Sequence, residues 1–208
     1  MRLHRVIPEY EGRVILKVRP FPLEVAGSGP APRDILEQEW WLAAIQEPAA
    51  DFAPYEGDDW PATTLPAFEA SWCAFRQDGE AGHDYDLRVR RAFFAEGRNI
   101  GRPQVLLEVA EETGLDARHF ERAFKSGEAR EAVLEECRSG NERYRVRGTP
   151  TMMLPEGTRL RHPITFPTIK ERKVVGVKPL ACCGEGCLDA TRDLFEEALL
   201  HEPGVASG

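Results

Sequence analysis

Val146-Arg147-Gly148-Thr149-Pro150-Thr151-Met152-Met153-Leu154 begins as a turn and ends as a run of apolar β-formers. Gly148 takes the chain out of a charged helical region, and the Thr149-Pro150 peptide leads directly into that run. Proline has no N–H for a ladder, so it belongs at the first residue of a strand or on an edge. An X-Pro bond at such a junction tolerates the cis form, whose penalty is only about 0.5–1 kcal/mol. The spacing therefore predicts a strand over Thr151–Leu154, with Pro150 at its entrance.

Upstream of this run the periodicity is helical. Leu36, Trp40, Ala43 and Ala44 share a face at 3.6-residue spacing, and Pro48 closes their segment. Pro48, Pro54, Gly57, Pro61 and Pro66 then predict a loop over Glu47–Pro66. Phe68, Trp72 and Phe75 make a second stripe, and Tyr85, Val89, Ala92 and Phe93 a third. Pro103 fits the first turn of a helix carrying Leu106, Val109 and Ala110, stopped at Gly114. Asp116 reads as the N-cap of the segment with Phe120, Ala123 and Phe124. Ala129, Val133 and Cys137 form the last stripe, which ends at Gly140.

Outside that block the pattern changes. Met1–Tyr10 reads as a short helix ended by Gly12, and Val14-Ile15-Leu16-Lys17-Val18 is a β-branched run of strand length stopped by Pro20 and Pro22. Ala26–Pro32 is turn-rich and linker-like. Val174–Val177 is a second apolar strand, Pro155–Lys173 an excursion before it, and Leu188–Leu200 a final amphipathic helix with Leu188, Thr191, Leu194, Phe195 and Ala198 on one face. Strand, helical block, strands and helix together predict an α/β core with a nested α domain.

This order resembles the DsbA-like (FrnE-type) branch of the thioredoxin fold, which a helical insertion splits. Arg19-Pro20-Phe21-Pro22-Leu23 is similar to the strand end that enters the insertion. Arg90–Ile100 with Gly114-Leu115-Asp116 is similar to its central helices, and Val146–Thr151 resembles the family's cis-proline loop. The resemblance implies a discontinuous thioredoxin-like domain over 1–27 and 141–201, an insertion domain over 28–140 and a flexible tail over 202–208. It also implies a first strand followed by Cys-Pro-x-Cys at a helix N-terminus. No Cys-x-x-Cys occurs here, and Met1–Tyr10 matches only the tail of that helix. The reading is thus a thioredoxin-like fold that is N-terminally incomplete, with the strand and dithiol upstream of Met1. In this fold the first strand lies between those placed at Val14–Val18 and Thr151–Leu154, and unpaired buried backbone groups cost about 1–3 kcal/mol each. A longer native chain, a substitute strand, or direct pairing of the two strands would each satisfy them. An exposed edge at Val14–Val18 would also favour a homodimer.

Composition bounds the rest. With 208 residues, 42% hydrophobic and 30% charged, the chain is long enough to bury a core. A net charge of −8 argues against nucleic acid as the partner. No run approaches the roughly 18–20 apolar residues that span a bilayer, and the start lacks a secretory apolar stretch. The expected compartment is cytoplasmic, with no membrane partner.

Five cysteines are candidates for chemistry: Cys73, Cys137, Cys182, Cys183 and Cys187. Cys73 and Cys137 sit on apolar helix faces and read as buried small hydrophobes. Cys182 and Cys187 flank a glycine-rich turn into the last helix, where a helix N-terminus favours thiolate. They are either accessory redox thiols or free thiols in a structural turn. A metal site is the weakest of the alternatives, since three thiolates lack a fourth ligand, so no metal is expected. The histidines are scattered singly. Trp40, Trp41, Trp60 and Trp72 read as core, with a substrate cleft as the alternative. Arg88, Arg90 and Arg91 read as a solvated face, with glutathione or anion binding as the alternative. By resemblance, Gly148, Thr149 and Pro150 bind an extended thiol- or disulfide-bearing substrate, protein or small molecule. Three functions stay open: a DsbA-family thiol–disulfide oxidoreductase whose dithiol is absent from this chain, a kappa-like isomerase or transferase with glutathione as co-substrate, and a non-catalytic binding module. No bound cofactor is expected.

Overall fold

In the computed structural model, residues 1–154, 157–160, 167–177 and 186–201 are described. Eight α-helices are described: α1 (Arg2–Val6), α2 (Arg33–Gln46), α3 (Leu65–Gln77), α4 (Gly79–Phe94), α5 (Pro103–Glu112), α6 (Ala117–Lys125), α7 (Glu128–Glu142) and α8 (Gly186–Leu200). A 3-10 turn, Ile7–Tyr10, continues α1, and a π turn over Glu24–Ser28 overlaps the start of the stretch expected to be a linker.

The helix ends follow local chemistry. Asp78 Oδ1 accepts from the Ala81 N–H at 2.8 Å and Asp116 Oδ1 from the His119 N–H at 2.9 Å, each satisfying a donor the first helical turn leaves free. Pro103 stands in the first turn of α5, and Gly114 leaves it at φ 74°, in the left-handed region glycine enters without cost. At α3 the Leu65 N–H donates locally to Thr63 Oγ1 at 3.1 Å, and the segment before the helix is held from a distance. Glu24 Oε1 accepts from Thr63 Oγ1, Thr64 N–H and Thr64 Oγ1, all within 3.0 Å.

Two apolar clusters result. The larger is built from α2–α7 around Trp40, Tyr55, Tyr85, Phe93, Leu106, Val109 and Phe120. Within it, the buried Glu69 of α3 accepts from Arg130 of α7 at 2.7 Å, which is how a carboxylate tolerates that position. The smaller cluster packs Val6 and Tyr10 against Leu188 and Phe195, joining the start of the chain to α8.

The strands depart furthest from expectation. Val14–Val18 is not a strand: it makes no ladder among the described residues, and Ile15 is 84% exposed. Strand propensity is realised only against a paired neighbour, and these residues pair with no described segment. Thr151–Leu154 contracts to β1 (Met152–Met153), paired antiparallel with the short β2 (Arg159–Leu160) in the register Met152↔Leu160 and Met153↔Arg159. Its partner is only two residues long, because the chain turns back at once. The Leu154 N–H donates to Thr158 O and the Gly157 N–H to Leu154 O. The strand near Val174–Val177 is present as β4 (Lys173–Val177), paired antiparallel with β3 (Pro167–Lys170), a strand inside the expected excursion. The Gln38 side chain of α2 holds this hairpin, accepting from the Val174 N–H and donating to Arg172 O, both at 3.1 Å.

Candidate ligand-binding loop

The segment from α7 to β1 is placed by three contacts. The Val146 N–H donates to Gly140 O at 2.9 Å, returning the chain along the end of α7. The Phe21 ring covers Gly140 so closely that a Cβ there would lie 2.7 Å from Cδ2. Arg159 of β2 donates through Nη2 to Tyr144 O at 2.6 Å and to Arg145 O at 2.7 Å. Tyr144 in turn lies beneath two guanidinium groups, Arg19 at 5.3 Å and Arg143 at 5.2 Å from the ring centroid. Arg145 has φ 49°, a left-handed backbone that costs a residue with a Cβ about 1–2 kcal/mol.

Gly148, Thr149 and Pro150 follow. Thr151 Oγ1 donates to Gly148 O at 2.6 Å, fixing the turn from its C-terminal side. The Thr149-Pro150 peptide is cis. Thr149 and Gly148 are half-buried, and Pro150 is exposed. Among the described residues the backbone groups of Arg147 and Thr149 make no hydrogen bond. Backbone N–H and C=O groups left without a partner are the groups a strand-like ligand takes up.

The thiols are not brought to this loop. Cys73 is buried in α3, and burial, reinforced by Glu69 and Glu128, pushes its thiol up to about 12. Cys137 is buried in α7 with its Sγ 3.8 Å from Pro22 O, and burial raises it as well. Both are therefore poor nucleophiles. Cys182 and Cys183 lie outside the described residues. Cys187 stands in the first turn of α8, but its side chain lies outside them too.

The other sequence candidates separate clearly. Trp40 is buried and meets Trp60, Phe93 and Phe94 at 5.2–6.0 Å, as a core residue does, but its Nε1 finds no partner among the described residues. Trp41 is not core: it is 56% exposed and, with Trp40, Glu37, Phe52, Ala53 and Pro54, lines a cavity of about 150 Å³. No residue of 146–151 lines that cavity. Arg88 pairs with Glu96 and Glu112, Arg90 with Asp86, and Arg91 with Asp51, so their charge is already matched by carboxylates. His83 meets His4 edge-on at 6.0 Å and Phe75 at 4.9 Å. Sequence reasoning missed Arg159, Tyr144 and Phe21 as supports of the loop. The only local signal was the unusual density of arginine before Gly148.

Among the described residues no group of His, Cys, Asp or Glu side chains is arranged to hold a metal, and no helix is long and apolar enough to cross a membrane.

Comparison with known proteins agrees with this architecture. Over 80 residues the chain is 31% identical to the "uncharacterized protein YwbO" of Bacillus subtilis (strain 168), a match covering 38% of this chain and 40% of that protein's length. The crystal structure of a "putative protein disulfide isomerase" from Nitrosomonas europaea superposes with a TM-score of 0.65, covering 97% of this chain and 89% of that one at 16% identity, a likeness of fold. The DSBA-like thioredoxin domain family matches residues 1–168. The chain belongs to the DSBA-like thioredoxin domain family.

Proposed function

We propose that this chain supplies the substrate-binding part of a thiol–disulfide oxidoreductase-like protein of the DsbA family, with Gly148, Thr149 and Pro150 receiving an extended thiol- or disulfide-bearing peptide. The observation that carries the reading is the free backbone of Arg147 and Thr149 on either side of Gly148, within a loop held in place by Arg159, Phe21 and Thr151. A peptide laid along it gains main-chain hydrogen bonds without rearranging its host. In thiol–disulfide exchange a thiolate attacks one sulfur of a disulfide, forming a mixed disulfide and expelling the other sulfur as thiolate. The loop's part is to hold the peptide still during that attack. This chain contains no Cys-x-x-Cys to deliver it.

Hydrogen–deuterium exchange with an extended cysteine-containing peptide tests the reading. Slowed exchange at Arg147, Gly148 and Thr149 is the expected outcome, and unchanged exchange there at saturating peptide overturns it. The same pure chain should give insulin reduction no faster than background.

A further inference from the structure

We infer that the ligand loop selects an acidic extended peptide, through a rim of arginines that pair with no carboxylate among the described residues. Arg143, Arg145, Arg147 and Arg159 are all exposed, and none has a carboxylate within salt-bridge distance among the described residues. Arg143 lies over the Tyr144 ring, and Arg159 is bonded to two backbone carbonyls, so both keep their full positive charge. Between Arg143 and Arg159 the sequence has one acid, Glu156, which lies outside the described residues. Glu142, at the end of α7, is the acid immediately before Arg143 and makes no ion pair among the described residues.

The pattern is local rather than general. The chain carries a net −8, and most arginines of the helical block are matched: Arg88 and Arg98 share Glu96, Glu108 and Glu112, while Arg90 and Arg91 take Asp86 and Asp51; among the described residues Arg76, Arg118 and Arg122 of that block have no ion pair. At physiological salt, charges further than about 8–10 Å away are largely screened. A ligand on the loop therefore feels the arginines beside it more than the acidic remainder. Arg145 also occupies a left-handed backbone that glycine would adopt more easily, so its side chain is present despite the conformation.

The occupant is a peptide rather than glutathione, because of the number of charges. Glutathione has two carboxylates and one ammonium, a net charge near −1, against four guanidinium groups distributed along the loop and its neighbouring strand. An extended segment with Asp or Glu on both sides of its cysteine matches that distribution, and guanidinium forks suit carboxylates in particular. This inference rests on the loop being the peptide site proposed above.

The test uses the full chain and three fluorescent peptides of equal length, each with one central S-methylcysteine flanked by Glu, Ser or Lys. At low salt the Glu peptide should bind about tenfold more tightly than the Lys peptide, with Ser between, and the spread should collapse near 0.5 M salt, since exposed charge pairs are each worth several-fold at most. Arg145→Gly with Arg147→Gln should bring the Glu peptide about three- to tenfold closer to the Ser peptide. Arg145→Gly suits the backbone, and an unchanged thermal midpoint confirms that the variant folds. Equal binding of all three peptides overturns the charge selection but leaves the loop reading standing. Failure of every peptide to bind overturns both. Glutathione binding as tightly as the Glu peptide overturns the choice of a peptide occupant.

Discussion

Cys73 and Cys137 show how burial decides what a cysteine is for. Both were read from sequence as small hydrophobes on helix faces, and the structure buries both with thiols raised by desolvation. With Cys73 near 12, almost no thiolate exists at pH 8. In the native protein neither should react with a maleimide over minutes, while both label at once in denaturant, as read by peptide mass spectrometry. Rapid native labelling of Cys73 would contradict the packing of α3. Arg159 makes the opposite point. Its two carbonyl acceptors belong to residues fourteen and fifteen positions earlier, and nothing in the local sequence marks it as their partner. Arg159→Ala should cost about 1–2 kcal/mol in urea unfolding, from two hydrogen bonds of about 0.5–1.5 kcal/mol each. Exchange should accelerate at Val146, whose N–H bond depends on that path.

At the scale of elements, glycine sets two close approaches that helix propensity would oppose. Gly82 lies within α4, where alanine is ordinarily better by about 1 kcal/mol. A Cβ there would come within 2.7 Å of Phe75 Cα and 2.5 Å of Phe75 Cδ1, so backbone as well as ring would have to move. Gly82→Ala should therefore destabilise by about 1–3 kcal/mol despite the propensity gain. A rise in its thermal midpoint would show that α3 and α4 separate freely. Gly140 is the same device on α7, but there only the Phe21 ring stands in the way. The β3–β4 hairpin is held on α2 by Gln38 and by Asp34, which accepts from the Arg172 guanidinium. Gln38→Ala should leave global stability within about 1 kcal/mol, since the lost bonds are half-exposed, yet speed amide exchange at Val174.

Across the whole molecule, the first and last helices are tied by a few long-range contacts. Tyr10 stacks on Phe195 at 4.9 Å, and its OH donates to Glu196 Oε1 at 2.7 Å. Arg192 reaches back to both carboxylate oxygens of Glu9 at 2.7 Å. Burial first, and then the Glu196 hydrogen bond, push the Tyr10 phenol up to about 12. The folded state thus favours the protonated phenol. Its contribution is complete below the unfolded value of about 10 and is lost as pH rises from there towards 12. The wild-type urea midpoint should therefore fall more steeply than that of Tyr10→Phe between pH 9.5 and 11.5, and parallel curves would refute the burial of this group.

Most of the helical block was legible because its signals are local. The caps at Asp116 and Pro103, the stop at Gly114 and the apolar stripes each act within a turn or two of chain. Pro150 was legible for the same reason, since proline constrains its own neighbours. The hold that Glu24 has on Thr63 and Thr64, the Arg159 clamp and the Gln38 brace were not, because each joins residues whose proximity exists only after packing. Val14–Val18 failed in the other direction: its β-branched composition is suited to a ladder, but a ladder needs a second strand. The sequence by itself determined the helices, the turn into Pro150 and a family whose order of elements it follows. Which extended segments pair, which thiols are shut away and which described arginines meet a carboxylate came from the packing, because each of those depends on groups distant along the chain.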